Sequence, residues 1–321
     1  MRTPLTLKVA CDPFEFVRAL EEGQVAAEGL KLAFEPEMSN PVRHRAMARD
    51  LAFDVCELNI TTYLIARDQG VPLTAIPVFL FRKFRHGSVY INREGKVRSP
   101  ADLNGAKIGC PTLQPASNLW IHGILAEEYG VSFRDVTWVV ERDEDLAFTA
   151  PSGMQIERAP PGRTVVQMLL DGDLDAVSAP QVPKELLQGD PRLARLFPNY
   201  MELEQAYFSR TGIFPIMHVT ALPSSLVERE PWIVGSLMRA FEASKQNAYR
   251  RFSNTRIATL AWFGALWEEE ARLLGGDPWE FGLGTKNVEN LTTAIGYAQK
   301  QGFIGGSMAL EDLFVAEELL V

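Results

Sequence analysis

The stretch "FRKFRHGSVYIN", residues 81–92, places Arg82, Lys83, Arg85 and His86 within five positions of a chain whose formal net charge is −9. If this stretch is extended, side chains alternate, so that Arg82, Phe84 and His86 share one face and Lys83 and Arg85 the other. A turn there would break the pairing. Two guanidinium groups and an imidazole suit a small carboxylated ligand, because arginine grips a carboxylate with two parallel hydrogen bonds. A solvated loop that balances acidic neighbours is the competing reading, and the residues alone leave both open.

The chain has four histidines, His44, His86, His122 and His218. No two have the spacing of a helical metal pair, so no metal site is expected. His44, in "PVRHRAMARD", reads as a surface helix residue. His218 lies in the apolar run "GIFPIMHVTAL", where a lone imidazole either faces a pocket or finds a partner in the core. Glu57, at the end of "FDVCEL", falls where ligands sit on a parallel sheet, and is either a proton donor or acceptor or a helix-cap partner. Asp12 occupies the matching place after the first strand. Ser117 and Asn118 open the helix "SNLWIHGILAEEYG", whose free N–H groups suit a carboxylate, although an ordinary N-cap uses the same residues. His122 shares the helix face of Asn118. There is no Gly-x-Ser-x-Gly, and no cysteine adjoins a recognisable histidine partner, so nucleophilic catalysis is poorly supported.

Alternating elements must position these groups. "LTLKVA", "FEFVRALEEGQVAAEG" and "LKLAFEP" read as a βαβ beginning closed by Gly29, which implies a parallel sheet. Polar turn residues in "REGKVRSPADLNGAKIGC" mark a change of domain, with Ser99 and Pro100 as N-cap and first helical residue. "SVYIN" is placed before that boundary. The expected fold class is α/β, with residues 1–94 and 205–321 forming a discontinuous first lobe and 95–204 an inserted second lobe. Each lobe should be a mixed, mainly parallel sheet flanked by helices, leaving a ligand cleft between them.

Composition narrows the function. An excess of 41 acidic over 32 basic residues argues against nucleic acid. No apolar run approaches the roughly 20 residues of a membrane span, and the N-terminus lacks the pattern of a secretory signal. Cys11, Cys56 and Cys110 are widely spaced, as expected of reduced, buried thiols in a cytoplasmic protein.

Longer motifs carry a resemblance. "AIPVFLFRKFRHGSVYIN", "RTGIFPIMHV", "PWIVGSLMRAFEASK" and "GGDPWEFGLGTKNVENLTTAIGYAQKQGF", with "LEDLF", occur in order over nearly the whole chain and closely resemble the 4,5-dihydroxyphthalate decarboxylase family. The resemblance implies a two-lobed fold like that of type II periplasmic binding proteins. It also implies non-oxidative loss of CO2 from a hydroxylated aromatic acid, no cofactor, and self-association into a homo-oligomer. Arg82, Arg85 and His86 carry over from the family's Arg-x-Phe-Arg-His, and Arg210, Thr211 and His218 from its Arg-Thr-Gly-Ile-Phe-Pro-Ile-Met-His. In the resulting assignment the arginines hold carboxylates and His86 handles the proton, with Glu57 as the rival acid. Asp12, Ser117, Asn118, His122, Arg210, Thr211 and His218 complete the substrate-binding set.

The departures matter too. Phe16 and Val17 stand where the family has Arg and Thr, His122 where it has Arg, and "VVERDEDLAF" where it has a glycine-rich loop. If those positions line the pocket, an arginine is missing on each side, which points to a substrate with fewer carboxylates than 4,5-dihydroxyphthalate, or a bulkier one. The rival class is a solute-binding protein that captures a small organic anion without reaction, since one scaffold hosts both.

Overall fold

The computed structural model describes residues 3–320. The chain forms two units. Unit 1 comprises the residues up to Arg82, Ile216–Leu291 and those from Met308 onward; unit 2 comprises Lys83–Pro215 and Thr292–Ser307.

Unit 1 begins with β1 (Leu5–Ala10), α1 (Glu15–Glu21), β2 (Leu30–Phe34), α2 (Asn40–Asp50), β3 (Val55–Asn59), α3 (Ile60–Asp68) and β4 (Leu73–Ile76). α1 is shorter than its sequence pattern, because Gly23 and Gly29 both take left-handed backbone conformations that turn the chain early. α3 starts where Asn59 accepts a hydrogen bond from the Thr61 N–H at 2.9 Å, a side-chain cap on the helix.

The chain then supplies unit 2: β5 (Val89–Asn92), β6 (Lys107–Cys110), α4 (Ala116–Tyr129), β7 (Thr137–Val140), β8 (Gln155–Arg158), α5 (Val165–Leu170), β9 (Ala176–Ser178), α6 (Lys184–Leu187), β10 (Leu193–Arg195) and α7 (Tyr200–Thr211). It returns to unit 1 with β11 (His218–Pro223), α8 (Ser224–Arg229), α9 (Ile233–Phe252) and α10 (Phe263–Leu274). α11 (Thr285–Lys300) passes from unit 1 into unit 2, and α12 (Leu310–Leu313) belongs to unit 1.

The sheet of unit 1 has the order β2-β1-β3-β11-β4. β1 runs parallel to β2 and β3, whereas β11 inserts antiparallel between β3 and β4. Its helical side is sealed by α1 and α9, where Phe16 meets Tyr249 and Trp279 edge-on at ring separations of 5.7 and 5.2 Å. Such pairs add about 0.5–1.5 kcal/mol each beyond their buried area. The sheet of unit 2 has the order β10-β5-β9-β6-β7-β8, parallel from β9 to β8 and antiparallel at β5 and β10.

Three expectations change. "SVYIN" (β5) pairs with β9 and β10, so the division falls at Arg82/Lys83 and Pro215/Ile216 rather than near 94 and 205. "QIER", which lacks the alternating apolar pattern by which a strand is recognised, is an exposed strand, β8, paired in parallel with β7. The cationic stretch is not extended: Arg82 forms a single bridge with Ile216, and His86–Ser88 is a 3₁₀ turn, so Arg82, Phe84 and His86 share no face.

Candidate functional site

In unit 1 three of the singled-out residues meet at the carboxyl-terminal ends of β1 and β3. Ala10, the last residue of β1, pairs with Cys56, so the chain leaving β1 carries Asp12 to Glu57, the next residue of β3. The Asp12 N–H donates to Glu57 Oε2 at 3.0 Å. On the other side of β3, Thr220 of β11 lies opposite Glu57 and His218 opposite Asn59, which makes His218 the diagonal neighbour of Glu57. His218 Nδ1 is hydrogen-bonded to Glu57 Oε1. No hydrogen bond occupies its Nε2 among the described residues. The His218 ring is flanked by those of Phe81 and His44, at 5.1 and 5.3 Å.

The group that binds this cluster together was not singled out from the sequence. Arg43, on α2 and 1% exposed, donates to Asp12 Oδ1 at 2.6 Å, to Glu57 Oε2 at 2.6 Å, to Asn40 Oδ1 at 2.9 Å and to the Glu57 carbonyl at 3.3 Å. Its neighbour His44 is likewise buried, not on the surface as its polar helix suggested. Burial alone would push the Glu57 carboxyl up, but His218 and Arg43 hold it below the ordinary carboxylate value. Glu57 is therefore an ionised carboxylate inside the protein, with an imidazole on one oxygen and a guanidinium on the other. Nearby, burial pushes the thiols of Cys11 and Cys56 up, with Glu57 adding to the effect, so neither is a ready thiolate.

Arg82 also belongs to unit 1. Its guanidinium donates to the Glu280 carbonyl at 3.0 Å and to Asn287 Oδ1 at 2.6 Å and stacks near Phe79. It is buried, and that burial pushes its pKa down to about 10. The arginine ties the 81–82 segment to the start of α11, and the Phe81 carbonyl in turn accepts from the Met217 N–H at 2.9 Å. These contacts hold the chain in place and set Phe81 beside His218.

Unit 2 holds the remaining candidates in separate groups. Arg85, buried, donates to the Pro180 carbonyl at 3.0 Å, and burial pushes its pKa too down to about 10. His86 is packed against the rings of Phe197 and Tyr207, with Nδ1 4.0 Å from Glu204 Oε1. Burial pushes this imidazole down to about 4, so it is neutral near pH 7 and a poor proton carrier. Glu204, a second residue missed in the sequence, is pushed up to about 7 by burial, against hydrogen bonds from the Gly87 and His86 backbone.

Asn118 is fully buried and committed: it donates to the Thr112 carbonyl and accepts from Ser178, both at 2.7 Å. Ser117, next to it at the start of α4, is buried with its hydroxyl unpartnered. Arg210 pairs with Glu128 on the surface, and the Thr211 hydroxyl donates to the Tyr207 carbonyl at 2.8 Å, so neither is a buried anion grip.

The premise of the substrate argument changes at residues 16 and 17. Phe16 and Val17 lie in the hydrophobic core of unit 1, at 7% and 0% exposure, and His122 is packed between Phe133 and Trp138. Phe16 and Val17 fill the core of unit 1 instead of lining a pocket. Among the described residues no group of three or more His, Cys, Asp or Glu is gathered as metal ligands would be, and no helix is long and apolar enough to cross a membrane.

Two α/β units on one interrupted chain, each with a mixed sheet, define a type II periplasmic-binding-protein-like fold. The sulfonate-binding protein SsuA of Methylobacillus flagellatus superposes with a TM-score of 0.60 at 13% identity, over 100% of this chain and 94% of that one. A family profile described as NMT1/THI5 like matches residues 14–153. At the level of sequence, the 4,5-dihydroxyphthalate decarboxylase of Comamonas testosteroni is 35% identical over 288 residues, 87% of each chain. The enzyme of the same name from Pseudomonas putida is 34% identical over 200 residues, 60% of this chain and 77% of its own. The chain belongs to the 4,5-dihydroxyphthalate decarboxylase family.

Proposed function

We propose that this protein removes CO2 from a hydroxylated aromatic carboxylic acid without an organic cofactor, and that His218, backed by Glu57, delivers the proton. The observation that carries this reading is the buried Glu57 carboxylate bonded to His218 Nδ1 while Nε2 has no hydrogen-bond partner among the described residues. A ring hydroxyl ortho or para to the carboxylate pushes electron density onto the carbon that bears it. His218, as an imidazolium, gives its Nε2 proton to that carbon. The carbon–carboxylate bond then breaks, its electron pair restores aromaticity, and CO2 leaves; the neutral imidazole recovers a proton from water. Glu57 stabilises the charged imidazole before the transfer and fixes its orientation throughout.

This assignment moves the proton from His86 to His218. His86 is buried among aromatic rings and neutral, and Glu57 acts as the partner of an acid instead of the acid itself. Arg43 is a positioning residue, since its donors are spent on Asp12, Glu57 and Asn40. The core placement of Phe16 and Val17 removes the ground taken from those two positions for expecting fewer carboxylates, so 4,5-dihydroxyphthalate is the first compound to test. Family membership also favours catalysis over simple capture of an organic anion.

The test is release of CO2 from a panel of hydroxylated phthalates and benzoates by wild type, His218→Gln and His86→Phe. We expect wild type to release CO2, His218→Gln to lose about 10²–10⁴-fold in kcat, the span typical of a general acid, and His86→Phe to keep its catalytic step. Saturable binding of every compound with no CO2 from any would establish the capture reading. A loss confined to His86→Phe would return the proton to that residue.

A further inference from the structure

Unit 2 contains a cavity of about 190 Å³ between the second half of α4, the loop before β7 and the end of α11. Its wall carries two buried side chains whose hydrogen-bonding capacity is unspent. His122, 4% exposed, has no partner on either ring nitrogen, and Gln301, 3% exposed, has none on Oε1 although its Nε2 donates to the Leu119 carbonyl at 2.8 Å. Leaving such buried groups without hydrogen bonds is unfavourable, so the site favours an occupant that can hydrogen-bond to them.

The rest of the cavity describes that occupant. Phe133 and Tyr297 provide apolar walls, and Tyr297 sits so close to α4 that a Cβ on Gly123 would lie 2.1 Å from its ring. For scale, an apolar protein cavity of about 150 Å³ takes up benzene; this one has room for a single ring. The interior is uncharged, because burial pushes the His122 imidazole down to about 3. At the mouth Lys300 is balanced by Glu127 at 2.7 Å, while Arg134 is exposed and joins no ion pair among the described residues.

We propose that this cavity is a second ligand site, separate from the Glu57–His218 couple, for a one-ring hydroxylated aromatic monocarboxylate. The hydroxyl groups point inward to His122 and Gln301, the ring lies against Phe133 and Tyr297, and the carboxylate stays at the mouth beside Arg134. The choice of ligand rests on the proposed function, since loss of one carboxylate from a dihydroxyphthalate yields this class of molecule; the cavity itself does not.

Calorimetric titration of the full chain with 3,4-dihydroxybenzoate tests it. Ala126 is an exposed residue at the mouth, so Ala126→Trp blocks entry without touching the core. Wild type is expected to bind one equivalent more than Ala126→Trp and than His122→Phe. Arg134→Leu should weaken that equivalent about 10-fold or more, and His218→Gln should retain it. Thermal unfolding confirms that each variant is folded. Equal stoichiometry in wild type, Ala126→Trp and His122→Phe overturns the site, as does an unchanged affinity in Arg134→Leu. Release of CO2 is measured on the same samples. CO2 released with no extra equivalent refutes the cavity alone, and an extra equivalent without CO2 refutes the proposed reaction alone.

Discussion

Replacing Arg43 by Met leaves the Glu57 carboxylate buried with the His218 ring as its remaining side-chain hydrogen-bond partner, and frees Asp12, which is partly exposed. Arg43 and Glu57 are each 1% exposed and their contact is 2.6 Å, so no solvent screens the pair. Removing one partner of such a pair costs about 3–5 kcal/mol. Retained His218 and hydration of Asp12 put the expected loss at the lower end, about 3 kcal/mol at pH 7. That corresponds to a fall in Tm of about 6–12 °C for a domain of this size.

The assay is urea unfolding of wild type, Arg43→Met, Glu57→Gln and the double variant, at several pH values. Coupled neighbours are non-additive by about 0.5–3 kcal/mol, so the double variant should lose less than the two singles together. The pH dependence has a definite sign. Glu57 is held below its ordinary value of 4.5, so its stabilisation is present above that pH and is lost as pH falls through the depressed folded value. In Arg43→Met the loss should begin at higher pH. A destabilisation under about 1 kcal/mol, or strict additivity, would refute the reasoning that Glu57 is a charged group held by Arg43.

Glu204 should give the opposite slope: its carboxyl is pushed from 4.5 up to about 7, so the folded state binds the extra proton and stability declines between those values. After discounting for its partial exposure the decline is about 2 kcal/mol, and Glu204→Gln should flatten it; an unchanged slope in that variant contradicts the assignment. Gly123→Ala should cost about 1–3 kcal/mol, since its Cβ would meet the Tyr297 ring at 2.1 Å, and wild-type stability would show that the ring moves freely. With no arginine lost from the ligand's surroundings at 16 or 17, 4,5-dihydroxyphthalate should turn over at least as well as the matching dihydroxybenzoate; a preference of about 10-fold or more for the benzoate, near one charge-assisted hydrogen bond, would reinstate the missing-arginine argument.

The sequence made the strands that carry Asp12, Glu57 and His218 readable, because period-two apolar runs and the turn signals after them mark where a parallel sheet ends. It could not show Arg43. The helix "NPVRHRAMARD" is polar almost throughout, yet Arg43, His44, Met47 and Ala48 form its buried face. A buried guanidinium is stabilised by partners 14 and 31 positions away, which no local pattern records. The one available signal was indirect: two acidic residues at adjacent strand ends need a counter-charge, and the helix between them carries three arginines. The cationic stretch misled for a related reason. Its charges suggested one ligand-facing surface, whereas the turn at His86 and the commitments of Arg82 and Arg85 to backbone carbonyls spend them on holding the chain. β8 was missed because "QIER" is exposed on both faces and lacks an alternating apolar pattern.

The proton transfer from His218 can be followed directly by running the decarboxylation of 4,5-dihydroxyphthalate in D2O and locating the label in the product. Wild type should release CO2 and place one deuterium on the carbon that lost the carboxylate, and His218→Gln should do so at least about 100-fold more slowly. Full turnover by His218→Gln, with the label in the same position, would contradict it.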